Sequence, residues 1–243
     1  MTADIHLYTA PTQNGWKVSI LLEELGIPYN VTPVRFDRRD QKSSWFLNIN
    51  PNGRIPAIVD HGNDGFTLFE SGAILWYLAE RQGAMLPRDP NGRAEALQWL
   101  MFQMSGIGPM MGQAMFFQRI AVPNGVTDDF AIARYQRESS RLLKVLDRRL
   151  QDRPYLMGDD YSIIDVACYP YVRSYPWAGL TIAGLDHLAR WLDRLDARPA
   201  VRRGVAVPMA VPAMFGEGDL TAAETANAAR FAADVAPPPS AAR

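Results

Sequence analysis

The chain has 243 residues, 48% hydrophobic and 21% charged, with a formal net charge of -1. That is enough for one large domain or two modest ones with real cores, and the charge balance gives no basic face for nucleic acid or an anionic membrane. No apolar run approaches the ~20 residues that span a bilayer, and the N-terminal MTADIHLYTA lacks signal-peptide chemistry, so a cytoplasmic protein is expected. A single cysteine, Cys168, excludes an internal disulfide framework and Cys-x-x-Cys chemistry, so any thiol chemistry needs a borrowed thiol.

Taken in chain order, β-like and helical patterns alternate up to about Arg81, and only helical periodicity follows Asn91. The pattern predicts a strand from Ile5 to Thr9, a helix from Gly15 to Leu25 closed by Gly26, a strand from Tyr29 to Arg35 and a short helix from Lys42 to Leu47. Strands near Ala57 to Asp60 and Thr67 to Phe69 come next, and a helix from Ser71 to Arg81 ends the unit. This β-α-β-α-β-β-α order is the thioredoxin-like arrangement. Residues 84–90 have linker chemistry, because Pro and Gly stop a helix and reset the chain direction. The expected units are therefore 1–83 (α/β), 84–90 (linker), 91–207 (all-α) and 208–243 (an Ala/Pro-rich tail). In the second unit, helices are predicted over Arg93 to Gln118, Asp128 to Leu150, Ile163 to Trp177, Leu185 to Arg194 and Pro199 to Gly204. Pro109, in GIGP, should bend the first of these and leave it a concave side, since it lacks a backbone donor and crowds the preceding turn.

Three polar segments of the first unit invite a functional reading. In PTQNG, Thr12 and Asn14 open a helix, where N–H groups point at whatever lies above; by residue preference they are simply a loop and helix cap. In NPNGRIPAIVD, a cis bond before Pro56 would present the N–H and C=O of Ile55 to a ligand backbone, whereas a trans proline opening an edge strand is the plainer alternative. In LFESGAILWYL, Ser71 is a good N-cap beside Glu70, and the same geometry would receive a carboxylate at Ser71 and an ammonium at Glu70. Cys168 lies in an apolar helical stretch and reads as core. The histidines are scattered and no metal spacing exists, nor does any strand lead into a phosphate-binding glycine loop, so neither metal nor nucleotide is expected.

Together LLEELGIPY, NPNGRIPAIVD and LFESGAILWYLAE resemble the glutathione-binding domain of glutathione transferases. YSIIDVACYPYV is similar to that family's buried capping box, in which Ser162 and Asp165 bond reciprocally to the first turn and nucleate the helix. The resemblance runs from about Ile5 to Pro208. APTQNGWKVSILLEE, LQWLMFQMSGIGPMMGQAMFF and AIARYQRES narrow it to the nu-class bacterial transferases. It implies a thioredoxin-like N-terminal domain followed by an all-helical C-terminal domain, a homodimer, and binding of one or two glutathiones or oxidised glutathione. The implied activity is disulfide-bond reduction without a protein cysteine. Residue by residue, it puts Thr12 and Asn14 beside the glutathione sulfur, Gln41 and Arg54 at the glycyl carboxylate and Ile55 against the cysteinyl backbone. Glu70 and Ser71 would hold the γ-glutamyl end, and Arg134 would reach a second glutathione. As residues alone, Gln41 also reads as a polar loop residue and Arg134 as a solvated helix-surface charge.

The methionines and phenylalanines between Met101 and Phe117 suit an adaptable pocket for a small hydrophobic or disulfide substrate, or else core and dimer packing. Of Tyr169, Tyr171, Tyr175 and Trp177, one or two are expected to face the cleft. Alternatives to disulfide reduction are glutathione-dependent cleavage of thioethers or β-aryl ethers, and a non-catalytic glutathione-binding protein on the same fold.

Overall fold

The computed structural model describes residues 3–210; the expected tail beyond 210 lies outside the described residues. A four-stranded sheet runs in the order β2-β1-β3-β4, built from β1 (Ile5–Thr9), β2 (Tyr29–Pro33), β3 (Ala57–Asp60) and β4 (Phe66–Phe69). β1 and β2 are parallel, as a helical crossover requires, while β3 is antiparallel to both β1 and β4. Helix α1 (Gln13–Leu25) makes the crossover, α2 (Ser44–Leu47) follows a short 3-10 turn at Asp40–Lys42, and α3 (Ser71–Gln82) leaves β4. β2 stops two residues short of the expected Arg35, where Arg35 turns its backbone N–H to the Asp40 carboxylate at 2.9 Å.

The remaining described elements are helical: α4 (Pro90–Phe102), α5 (Gly108–Phe116), α6 (Asp129–Arg149), α7 (Ile163–Arg173), α8 (Asp186–Asp196) and α9 (Pro199–Gly204). The expected single helix from Arg93 to Gln118 is interrupted by a wide π turn over Gln103–Ile107, in which the N–H of Gly108 reaches back five residues to the Gln103 carbonyl. The extra residue in this turn precedes Pro109, which sits in the first turn of α5, where a missing N–H costs little. The expected helix to Trp177 ends at Arg173, and a 3-10 turn covers Tyr175–Ala178. Pro176 suits that break, because it falls in the first turn of the 3-10 segment, where its missing N–H costs little.

Residues of both halves share one core. Trp16, Ile20 and Leu21 of α1, Ile74 and Leu75 of α3, and Val166, Ala167 and Cys168 of α7 are all buried within it. Polar links tie α1 to α9 and its cap: Ser19 Oγ donates to the Gly204 carbonyl at 2.7 Å, and Arg198 makes a bidentate pair with Glu24. The capping box of α7 forms as expected, with Asp165 accepting from the Ser162 N–H at 3.0 Å and Ser162 Oγ from the Ile164 N–H at 3.2 Å.

Candidate functional site

The sheet register gathers the three polar segments. Ala57 pairs with Tyr8 on one side and Phe69 on the other, so the end of β1, the start of β3 and the end of β4 share one edge of the sheet. Beyond that edge lie Ala10 to Asn14, Ile55–Pro56 and Glu70–Ser71. The Ile55–Pro56 peptide bond is cis.

At the first segment, the Thr12 hydroxyl caps α1 by accepting from the Gly15 N–H at 3.4 Å. The capping alternative thus holds for Thr12, while the hydroxyl proton stays free to donate elsewhere. Gly15 is needed for a close approach: a Cβ there would run into the Ala10 carbonyl oxygen and the Thr9 hydroxyl. The turn is pinned against β1 in this way, and Thr12 and Asn14 are half-buried at its rim. Asn14 lies beside the buried phenol of Tyr171 on α7 and draws its pKa down, against the larger effect of burial. Burial pushes that phenol up to about 12, so it is neutral across the physiological range.

The second segment is a closed loop. Asn50 Nδ2 donates to the Arg54 carbonyl at 2.5 Å, and Asn50 Oδ1 accepts from the Asn52 N–H at 2.9 Å. Gly53 has φ +62, and a Cβ there would lie 2.8 Å from the Gln41 carbonyl; this contact sets the Gln41 turn against the loop that carries Arg54. Gln41 is 4% exposed and its Oε1 has no partner among the described residues, whereas Arg54 is exposed. A buried polar oxygen without a partner is uncommon, and it leaves an open acceptor at this turn.

At the third segment the structure differs from the capping alternative. Glu70, not Ser71, occupies the cap position of α3, with φ 70 and ψ 112 and no side-chain cap bond. A positive φ at a non-glycine residue is strained and is concentrated at functional sites. Ser71 is the first helical residue, buried, and its hydroxyl turns inward to accept from Lys17 Nζ at 3.4 Å.

Lys17 was not singled out by the sequence reading. It is fully enclosed, donates to Gln103 Oε1 at 2.8 Å and to Met104 Sδ at 3.6 Å, and lies 5.2 Å from the centre of the Tyr171 ring. Burial pulls its ammonium down to about 7, a loss that the neighbouring Cys168 and Glu70 only partly offset. The available signal was a lysine inside the otherwise apolar run WKVSILL, one turn beyond Asn14. Gln103 was equally invisible, because only the π turn aims its side chain at α1.

Arg134 is not brought to the sheet edge. It is exposed on α6, where it lines a groove of about 300 Å³ with Met110, Arg137, Glu138 and Arg141. Glu138 there is engaged by Arg141 at 2.7 and 2.9 Å. Among the expected pocket residues, Met111 and Met115 are buried core, Met104 and Met110 are half-buried, and Met101 is exposed. Cys168 is completely buried, and burial pushes its thiol well above the ordinary value. Among the described residues, no group of three His, Cys, Asp or Glu side chains is disposed to hold a metal ion.

Comparison with known proteins agrees with this geometry. Residues 3–80 match the family model "Glutathione S-transferase, N-terminal domain" and residues 129–194 match "Glutathione S-transferase, C-terminal domain". The disulfide-bond oxidoreductase YfcG of Escherichia coli is 44% identical over 200 residues, covering 81% of this chain and 92% of that protein. A Burkholderia graminis glutathione transferase, solved with two glutathione molecules bound per subunit, superimposes with a TM-score of 0.80 at 47% identity, over 85% of this chain and 89% of that one. A Pseudomonas putida glutathione transferase, solved with one glutathione disulfide bound per subunit, gives a TM-score of 0.79 at 44% identity, over 85% and 92%. The chain belongs to the glutathione transferase family.

Proposed function

We propose that this protein is a glutathione-dependent disulfide-bond reductase of the nu-class type. The observation that carries the reading is the contrast between its polar sheet edge and its one cysteine. Cys168 is sealed in the core with its thiol held protonated, whereas Thr12, Asn14, Ile55 and Ser71 line an edge without a thiol of their own. The reacting sulfur then arrives with the substrate. YfcG carries the name disulfide-bond oxidoreductase, and the Burkholderia and Pseudomonas structures were solved with glutathione and glutathione disulfide, which supports the same reading here.

In this reading the first glutathione lies along the edge. Its cysteinyl backbone pairs with Ile55, its γ-glutamyl end meets Glu70 and Ser71, and its glycyl carboxylate meets Gln41 and Arg54. Thr12 and Asn14 donate to the sulfur. A free thiol has a pKa of about 8.5, and lowering it by about two units takes roughly 2.7 kcal/mol, within the reach of two or three charge-assisted hydrogen bonds and a helix N-terminus. Neither Thr12 nor Asn14 is a base; both act by favouring the anion. The thiolate attacks one sulfur of the acceptor disulfide, forming a glutathione mixed disulfide and expelling the other sulfur as thiolate. A second glutathione thiolate then attacks the glutathione sulfur of the mixed disulfide, giving oxidised glutathione and releasing the remaining acceptor sulfur as thiolate; both leaving groups take a proton from solvent. Arg134 is assigned to the second glutathione.

The same reading takes 1–83 as the glutathione-binding unit, 84–90 as a linker and 91–207 as the helical unit, in a homodimer working in the cytoplasm. Exposed Leu97 and Met101 lie four residues apart on α4 and support an interface between copies. Among the described residues no helix is long and apolar enough to cross a membrane.

Steady-state turnover of hydroxyethyl disulfide with glutathione, set against β-glutathionyl aryl ketones, tests the proposal. Disulfide reduction is expected to dominate. Turnover of the ketones alone would favour ether cleavage, and glutathione binding without turnover of either would leave a binding protein.

A further inference from the structure

Among the described residues, Lys17 is a buried ionisable group beneath the sheet edge that the reaction above does not use. Its partners are all neutral: the Ser71 hydroxyl at 3.4 Å, the Gln103 amide oxygen at 2.8 Å, the Met104 thioether at 3.6 Å and the face of Tyr171. It takes part in no ion pair among the described residues. A buried charge without a directly paired counter-charge is disfavoured by folding, and Glu70 only partly offsets this one, so its place under a site expected to take an anion calls for an account.

An ammonium only donates, so Ser71 Oγ is the acceptor in its bond with Lys17 and must direct its own proton elsewhere. The acceptor within reach in the protein is Met104 Sδ at 3.9 Å, a weak one that a carboxylate would displace. Resting on the reading above, we infer that Lys17 is a positioning residue: it holds Ser71 as a hydrogen-bond donor toward the α-carboxylate of the γ-glutamyl group and supplies, one hydroxyl away, the positive charge that this anion lacks at the surface.

The coupling runs both ways. An anion held at Ser71 favours the charged form of Lys17, so ligand binding near neutral pH takes up a proton, and raising the pH weakens binding. Of the groups facing Lys17, Cys168 and Tyr171 of α7 are held protonated by burial, Glu70 at the start of α3 acts through space to favour the charged form, and the π turn offers only Gln103 and Met104. On α1 itself Glu23 and Glu24 are paired with Arg203 and Arg198, near α9. Asp165 of α7 is occupied by Leu156, Ser162 and Trp191. His6 bonds to Thr32 and His187 to Arg190, away from α1.

The test is calorimetric titration with S-methylglutathione, whose sulfur cannot ionise, in buffers of different ionisation enthalpy. The wild-type protein is expected to take up roughly half a proton near pH 7.5 and to lose affinity roughly fivefold between about pH 6.5 and 8.5. Lys17→Met, close in shape and uncharged, is expected to bind roughly tenfold more weakly at the lower pH and to show a flat pH profile. Adding Ser71→Ala to Lys17→Met should weaken binding by less than about twofold more, because both act through one hydrogen bond. Wild-type affinity and an unchanged pH profile in folded Lys17→Met would overturn the proposal. If that variant does not fold, the wild-type protein decides alone, since binding without proton uptake is equally fatal. Failure of the wild type to bind either S-methylglutathione or glutathione would overturn the functional reading itself.

Discussion

The Asn14 amide lies against the Tyr171 phenol across the junction of α1 and α7, so the helical half of the molecule borders a group on the rim of the α/β half. An amide confined against a neighbouring side chain has already lost part of the freedom it would otherwise give up on meeting a thiolate. Asn14→Ala is therefore expected to raise the pKa of bound glutathione by about one to two units, the equivalent of one charge-assisted hydrogen bond, with a matching fall in turnover. Tyr171→Phe should leave glutathione affinity in place and lower turnover several-fold. Ultraviolet titration of the bound thiolate separates the two variants, since only the first removes a donor. A Tyr171→Phe enzyme with unchanged turnover would show that the contact has no part in the chemistry.

Glu70 and Ser71 occupy adjacent positions but hold opposite charges in the proposed complex. Ser71→Ala should weaken glutathione binding roughly tenfold, the cost of one hydrogen bond to a charged group. Glu70→Gln keeps a side chain at the positive φ and removes only the carboxylate. Its loss of affinity should appear with glutathione and vanish with an analogue that lacks the α-amino group. An equal loss with both ligands would mean that the backbone at position 70, and not its charge, is what the ligand requires.

The elements from Ile5 to Gly204 were legible because hydrophobic periodicity and turn chemistry agree along most of the chain. The boundaries that differ have local causes: Asp40 captures the Arg35 N–H, and Pro109 is accommodated by a widened turn that no single-sequence pattern marks. Of the candidate site, Thr12, Ile55, Glu70 and Ser71 were visible through motif order, and the sheet register brings their segments to one edge. Lys17 and Gln103 were not visible. Their 2.8 Å contact joins residues 86 positions apart, and the π turn that aims Gln103 exists only in three dimensions. The inward turn of the Ser71 hydroxyl was missed for the same reason, since residue preference at a helix start favours a cap over a contact with a lysine on another element.

Arg134 stands on α6 beside Met110, Arg137 and Arg141, clear of the sheet edge. If it serves the second glutathione, Arg134→Ala should lower the binding stoichiometry from two glutathiones to one, with the affinity of the first unchanged. Binding of oxidised glutathione should weaken by roughly ten- to a hundredfold, as for loss of a charged partner to a carboxylate. Calorimetry at low ionic strength checks this, and unaltered stoichiometry would return Arg134 to the solvated surface.

Lys17 also imposes a pH dependence on the ligand-free fold. Burial lowers its pKa from 10.5 in the unfolded reference to about 7, so between those values the unfolded chain binds more protons than the native one. Stability then rises with pH across this window, by at most about 1.4 kcal/mol per pH unit, and is lost as pH falls through about 7. Urea midpoints at about pH 7, 8 and 9 for wild type and Lys17→Met isolate this contribution, because every other titrating group is common to both. Parallel curves for the two proteins would place the Lys17 ionisation outside this range.

Asp165 is the residue whose loss should damage folding and spare chemistry. Its carboxylate is fully buried and accepts from the N–H groups of Leu156 and Ser162, from Ser162 Oγ and from Trp191 Nε1, at 2.9 to 3.0 Å. These bonds fasten the start of α7 to the preceding loop and to α8. Asp165→Ala strands several buried donors together and is expected to cost about 3–5 kcal/mol of stability, while Asp165→Asn, which keeps one oxygen and places an NH2 against those donors, should cost somewhat less. α7 also carries Tyr171, so a catalytic part for Asp165 would appear as a fall in turnover per folded molecule. The structure instead calls for a lower urea midpoint with turnover per folded molecule and bound-thiol pKa both at wild-type values, because the Asp165 bonds go to the loop before α7, to the cap of α7 and to α8, and none goes to the sheet edge.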